Sequence, residues 1–160
     1  MSWPDRRAFL GLALLAGCGF APAYGPGGAA NALTGAVRAA NPTDKNGFDL
    51  VGRLEERLGR PQVARFDLAY TINTQAIAVG LTPDGSITRY NLSGAVTWAL
   101  TDAAGTRLAD GVVDSFTSWS ATGSTVAGLA AEKDANTRLM RILADQIVAR
   151  LLAVSATLPT

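Results

Sequence analysis

The sequence predicts an α+β domain: two helices packed on one face of a four-stranded, mainly antiparallel sheet, in the order β-α-β-β-β-α. Three observations carry this. Phe48, Val51, Leu54 and Leu58, and later Ala135, Leu139, Ile142, Leu143, Ile147, Leu151 and Val154, recur every three to four positions, the period of a helix with one buried stripe. Residues 65–74 and 87–101 alternate apolar with polar side chains, as strands with one buried face do. The turn sequences Pro83-Asp84-Gly85 and Asp102-Ala103-Ala104-Gly105 join the later strands closely enough for a meander. A single sheet layer with both helices on one side buries both stripes at once.

In chain order, residues 33–40 form a short strand candidate with Leu33 and Val37 apolar, closed by Asn41-Pro42. Asn46 is placed to cap the first helix, with Asp49 favourable for its dipole, and Gly59-Arg60-Pro61 stops it. In the second strand Phe66, Leu68, Tyr70 and Ile72 share one face; Ile77 and Val79 fall in the opposite phase, which predicts a bulge near Thr74-Gln75. The third strand sets Tyr90, Leu92, Val96, Trp98 and Leu100 against Arg89, Asn91, Ser93 and Thr97. Residues 107–119 form a fourth strand with both faces mixed, so its register is open. The second helix keeps Asp134, Arg138, Arg141, Asp145 and Arg150 largely off its apolar stripe.

Composition excludes several kinds of chemistry. The 160 residues are 48% hydrophobic and 17% charged, with a net charge of +1, one cysteine and no histidine. Ser-His-Asp and Cys-His catalysis are therefore impossible, and neither a thiolate nor an imidazole zinc site can be built. No metal or catalytic residue is expected. A near-neutral chain has no field with which to hold a phosphate backbone, so nucleic acid is not the expected partner. Asp102, Asp110 and Asp114 are the carboxylates that an acid/base enzyme would use, but turn formation and protection of a strand edge explain them more simply.

The first 17 residues have the layout of an export signal: Arg6-Arg7, then an apolar run from Ala8 to Gly17. That run is about 15 Å long as a helix, half of what a bilayer core demands. Leu15-Ala16-Gly17-Cys18 resembles the lipobox of bacterial lipoproteins, which implies cleavage between Gly17 and Cys18. It also implies a diacylglycerol and an N-acyl chain on Cys18, with no other cofactor. Several acyl chains hold a protein on a membrane durably, whereas one is marginal. Arg6-Arg7-Ala8-Phe9-Leu10 looks like a twin-arginine motif, yet paired arginines are ordinary in signal peptides, and the general secretory route is favoured. Gly19 after the cysteine implies delivery to the outer membrane, with the domain on its periplasmic side. Removing residues 1–17 takes two of the 14 basic and one of the 13 acidic residues, leaving a formally neutral chain. Residues 18–31, rich in glycine and proline and free of charge, read as the lipidated tether, and residues 32–156 as one domain.

Three segments carry a wider resemblance. Gly17-Cys18-Gly19-Phe20-Ala21-Pro22-Ala23-Tyr24-Gly25 resembles the opening of the lipopolysaccharide-assembly lipoproteins, the LptE or rare lipoprotein B family. Arg89-Tyr90-Asn91-Leu92, with the strand and Asp-x-x-Gly turn after it, resembles that family's central hairpin. Ala131-Glu132-Lys133-Asp134-Ala135, Arg138-Leu139, Leu143 to Ile147 and Arg150-Leu151 resemble its terminal helix. The resemblance implies two helices on a four-stranded sheet and a non-enzymatic role. In that role the lipoprotein plugs an LptD-type outer-membrane β-barrel, helps it assemble and contacts lipopolysaccharide. Arg89, Arg107 and Lys133 are the cations that such contact would use, although each taken alone is more simply explained as an ordinary solubilising charge. Only two lysines, Lys45 and Lys133, argue against a strong anionic-lipid patch. A lipoprotein of another envelope lipid-transport system, binding a phospholipid or a periplasmic protein, is the alternative.

Overall fold

In the computed structural model, which describes Gly25, residues 28–121 and residues 124–158, a 3-10 turn at Ala29–Ala32 leads into strand β1, Val37–Ala39. Helix α1 follows at Lys45–Leu58, then β2 at Phe66–Leu81, β3 at Ile87–Asp102, β4 at Arg107–Ser120 and helix α2 at Thr125–Val154. The strands lie in the order β1-β2-β3-β4. β2, β3 and β4 form an antiparallel meander, whereas β1 runs parallel to β2. The β1-α1-β2 crossover imposes this, because a strand reached through a helix re-enters the sheet in the same direction.

β1 is shorter than the 33–40 stretch that the sequence suggests. Leu33 nevertheless enters the core from the turn before the strand, and both Leu33 and Val37 are buried. The N-cap of α1 is Asp44, not Asn46: its carboxylate accepts from the Gly47 N–H at 2.7 Å. The helix consequently starts two residues earlier, at Lys45, and its buried stripe runs through Gly47, Leu50, Leu54 and Leu58, with Phe48 69% exposed. Gly59, with φ of 78°, takes the left-handed conformation that ends the helix, and its N–H donates to the Glu55 carbonyl.

β2 continues in register through Thr74 and Gln75, so the bulge expected there is absent. The irregularity falls at residues 78–81, where Ala78 pairs with Tyr90, Gly80 with Arg89 and Leu81 with Ile87. Glycine is needed at that bulge because a Cβ on Gly80 would run into Thr88 Oγ1. Ile77 is out of phase with the core because it sits on the opposite face of an unbroken strand. At the other end of β3, the Asp102 carboxylate accepts from the N–H groups of Ala104 and Thr106, at 2.9 and 2.8 Å, and shapes the β3–β4 turn.

Register settles the ambiguous fourth strand. Val113 opposite Val96 and Thr117 opposite Leu92 point inward with β3's Leu92, Val96, Trp98 and Leu100. Val112 and Phe116 point outward. The buried Thr117 is matched to a helix: its hydroxyl donates to the Ala135 carbonyl at 3.1 Å. α2 brings Ala135, Leu139, Met140, Leu143, Ala144, Ile147, Val148 and Leu151 onto this face. Ile142, which the sequence places on the stripe, is 38% exposed, and Met140, Ala144 and Val148 take its share of the core. The core extends to Ala30 at one terminus and to Leu158, 9% exposed, at the other.

Candidate functional site

The helices cover one sheet face and leave the other open. On the open face, β2 presents Thr71, Asn73, Gln75 and Ile77; β3 presents Arg89, Asn91, Ser93, Ala95, Thr97 and Ala99; β4 presents Asp110, Val112, Asp114, Phe116 and Ser118. The pairing makes this pattern obligatory, since residues directly opposite across a ladder share a face. The surface is dominated by small hydroxyl and amide side chains. A shallow depression of about 260 Å³ lies in its middle, lined by Asn73, Gln75, Ser93 and Asp114 among others. Apolar points interrupt it at Ile77, Val112 and Phe116, the last 69% exposed.

The sheet also outruns its helical cover. β3 is about 53 Å long at 3.3 Å per residue, whereas α1 spans about 21 Å and α2 about 45 Å. Beyond Gln75 on β2 and before Tyr90 on β3, nearly every residue is exposed on both faces. That free ribbon carries Ile77, Val79, Leu81 and Ile87. Ala121 N–H donates to the Thr88 carbonyl, which brings the start of α2 to the same end, with Val126 and Leu129 exposed. At its tip, hydrogen bonds from Thr82 and Ser86 hold the Asp84 carboxyl below its ordinary range.

The three candidate lipopolysaccharide-binding cations do not converge. Arg89 and Arg107 both belong to the open face but sit near opposite ends of it, about 40 Å apart along β3, since Arg107 pairs with Thr101. Lys133 lies on the helical layer, where it shares a depression of about 260 Å³ with Lys45, Asn46, Leu129, Glu132 and Asn136. Arg89 and Lys133 thus occupy the same end in different layers. Among the described residues none of these three cations has an ion-pair partner. The meeting of both lysines was missed in the sequence. They stand 88 positions apart in separate elements, and only the helix contact brings them together.

Beneath those lysines, Asp49 accepts from Lys45 at 2.8 Å and from the Thr137 hydroxyl at 2.8 Å. Burial alone would raise the Asp49 carboxyl; hydrogen bonds from Lys45 and Thr137, with the Lys45 and Arg141 charges, outweigh it and hold the group below its ordinary value. A third depression, about 350 Å³, opens between β1, α1 and the 59–61 loop, with Val37, Val51, Leu54, Leu58 and Leu68 among its lining and Arg38 and Arg60 at its margin. Both arginines are already paired, Arg38 with Asp67 at 2.7 Å and Arg60 with Glu55 at 2.6 Å.

Asp102, Asp110 and Asp114 do not make a catalytic pair. Asp102 shapes a turn, while Asp110 and Asp114 stand about 13 Å apart along β4. Among the described residues no cluster of acids or cysteine suits a metal, and no helix is long and apolar enough to cross a membrane. Gly17 and Cys18, the cleavage and lipidation sites, lie outside the described residues.

Comparison with known proteins agrees with this architecture. The family model described as LptE, lipopolysaccharide-assembly, matches residues 34–151. A solved structure described as a lipoprotein from Caulobacter crescentus CB15 superposes with a TM-score of 0.69 at 24% identity, covering 82% of this chain and 98% of that one. The rare lipoprotein B from Shewanella oneidensis gives 0.59 at 12% identity, covering 76% and 96%. A lipoprotein B from Nitrosomonas europaea gives 0.56 at 15% identity, covering 75% and 82%. At these identities the structures speak for the fold alone. No curated protein matches by sequence. The family match spans most of the chain, from the turn before β1 to the end of α2, and on that ground the chain belongs to the LptE lipopolysaccharide-assembly family.

Proposed function

We propose that this chain is an outer-membrane lipoprotein, held by acyl chains on Cys18. In this reading it occupies the lumen of an LptD-type β-barrel, helps that barrel assemble and serves lipopolysaccharide insertion into the outer leaflet. Membership of a non-catalytic lipopolysaccharide-assembly family supports a role in the cell envelope. The observation that supports the plug reading best is the open sheet face. It is long, left uncovered by the described residues and studded with hydroxyl and amide groups, a surface matched to the polar interior of a barrel and not to lipid. Arg89 and Lys133, at the end that carries the free ribbon, are the candidate contacts for lipopolysaccharide phosphates; Arg107, about 40 Å away, would meet a different part of the barrel.

Co-purification of the lipidated chain from detergent-solubilised envelopes tests this reading. Recovery of a large β-barrel in stoichiometric amount is the expected result. Recovery without one, or residence of the chain in the inner membrane, refutes it. The anchor is checked separately: Cys18→Ser should leave an uncleaved or soluble precursor, and unchanged acyl labelling in that variant would refute the lipid assignment.

A further inference from the structure

The two edges of the sheet are treated very differently. On β4, side chains from α2 reach over the edge: Gln146 Nε2 donates to the Asp114 carbonyl at 3.2 Å, and Arg138 Nη2 to the Ser118 carbonyl at 3.3 Å. On β2 the neighbouring strand β1 covers only Phe66, Asp67 and Leu68. The direction of β2's backbone groups is fixed there, because the Phe66 N–H donates to Ala36 O and Leu68 O accepts from the Ala40 N–H. By alternation, the N–H and C=O groups of Tyr70, Ile72, Thr74, Ala76 and Ala78 point out past the end of β1, where no strand among the described residues lies beside them.

Natural edge strands are normally guarded by charge, proline or brevity. Residues 69–81 of β2 contain no charged residue and no proline, and among the described residues the only guard is the bulge beyond Ala78. The open run therefore has two physical ends, β1 at Leu68 and the bulge after Ala78, and its midpoint is Thr74.

We infer that this run is a self-association edge, on which a second copy of the chain adds its own β2 antiparallel about a two-fold axis at Thr74. The pairing this imposes is complementary in size. On the helical side Tyr70 meets Ala78 of the second copy and Ile72 meets Ala76; on the open side Thr71 meets Ile77 and Asn73 meets Gln75. A charge beside Thr74 would approach its like across the axis, and the run carries no charge at all. The pairing satisfies about ten main-chain groups that otherwise face solvent. A strand from another protein could use the same edge, but size and charge matching along its whole length favours an identical strand.

The interface is one strand pair, at the small end of interface sizes, so a weak, concentration-dependent dimer is expected. Sedimentation of the full lipidated chain in detergent, between about 1 and 100 μM, should show a concentration-dependent dimer. Asn73→Lys with Gln75→Lys, both exposed on the open face, sets lysines opposite each other across the axis and should weaken the dimer roughly tenfold or more. Asn73→Glu with Gln75→Glu should do the same, and mixing the two variants should restore a heterodimer, which no folding defect could do. Thr74→Pro, which removes an outward N–H without breaking the β2–β3 ladder, should also give a monomer. A wild-type chain that stays monomeric overturns the inference, as does a dimer indifferent to all three variants, or an edge that cross-links only to a different protein. The dimer test is independent of the barrel reading, since it contains no barrel.

Discussion

Arg53 on α1 holds both carboxylate oxygens of Asp145 on α2, at 3.1 and 3.0 Å, across 92 positions of sequence. Glu56 at 2.9 Å and Arg57 at 3.7 Å extend the pair into a short network over the seam between the helices. The two-pronged geometry and the neighbouring Glu56 keep the Arg53 guanidinium protonated well beyond its usual range, with the Asp145 hydrogen bonds contributing most. Asp145→Asn should lower the melting temperature by a few degrees, and the loss should shrink in high salt because the pair is partly exposed. A loss of equal size at low and high salt would mean that packing, not charge, is what the substitution removed.

Asp49 gives the molecule an acid sensitivity of known sign. Its carboxyl ionises at lower pH in the folded chain than in the unfolded one, so the folded state gains from the ionised form. That gain is complete above the unfolded value near about 3.9 and disappears as pH falls through the folded value. Asp49→Asn should therefore be less stable than wild type at neutral pH, and the two melting curves should converge on acidification below about pH 4. Curves that stay parallel down to pH 2 would remove Asp49 as the source.

Gly94 sits on the core face of β3 directly beneath α2. A Cβ there would stand 2.9 Å from Leu139 Cδ2 and 3.4 Å from Leu143 Cδ1. Gly94→Ala should cost about 1–3 kcal/mol through overpacking, measured by urea unfolding. Combining it with Leu139→Val, which withdraws the colliding methyl, should cost less than the two changes added separately.

The Tyr70 hydroxyl is buried without a hydrogen-bond partner among the described residues, close under α1 at Gly47. Burial, then the nearby Asp44 charge, raises its pKa. Tyr70→Phe removes an unsatisfied polar atom while keeping the ring, so stability should be unchanged or up to about 1 kcal/mol higher. A clear loss would reveal a partner for the hydroxyl, such as an ordered water.

The open sheet face separates binding from folding. Ser93→Glu with Thr97→Glu places two charges on exposed positions of β3, away from the core. Stability of the chain should stay within about 0.5 kcal/mol, while barrel recovery in the co-purification falls sharply. Undiminished recovery would move the interface elsewhere.

Most of the architecture was legible from periodicity. The two helices, the long strands, both tight turns and the β-α-β-β-β-α order follow from spacing alone, because a strand's period of two and a helix's of 3.6 are hard to confuse over 14 residues or more. What escaped depends on contacts. Asp44, two residues before Asn46, caps the helix, and its buried face takes Leu50 where the sequence pattern had placed Phe48. The bulge moved from Thr74 to residue 79 because Ile77 looked like a broken pattern when it was an exposed side chain on a continuous strand. Thr117 on the inner face and Phe116 on the outer made β4 unreadable until pairing with β3 fixed its phase. For the site, Arg89, Arg107 and Lys133 were nameable from sequence, but their separation was not, since distance across a sheet is a property of register.

The portion of the β2–β3 hairpin that stands beyond the helices has a mechanical consequence. Among the described residues it is tied to the rest of the molecule through its own ladder, the Arg89–Ser120 pair at the end of β4 and the Ala121–Thr88 bond, with no buried large side chain of its own. Opening it exposes little apolar surface, so its amides should exchange with solvent long before those of β3 under α2. The domain is thus a stiff block with a compliant arm. Movement of the arm would leave the buried contacts of the core in place.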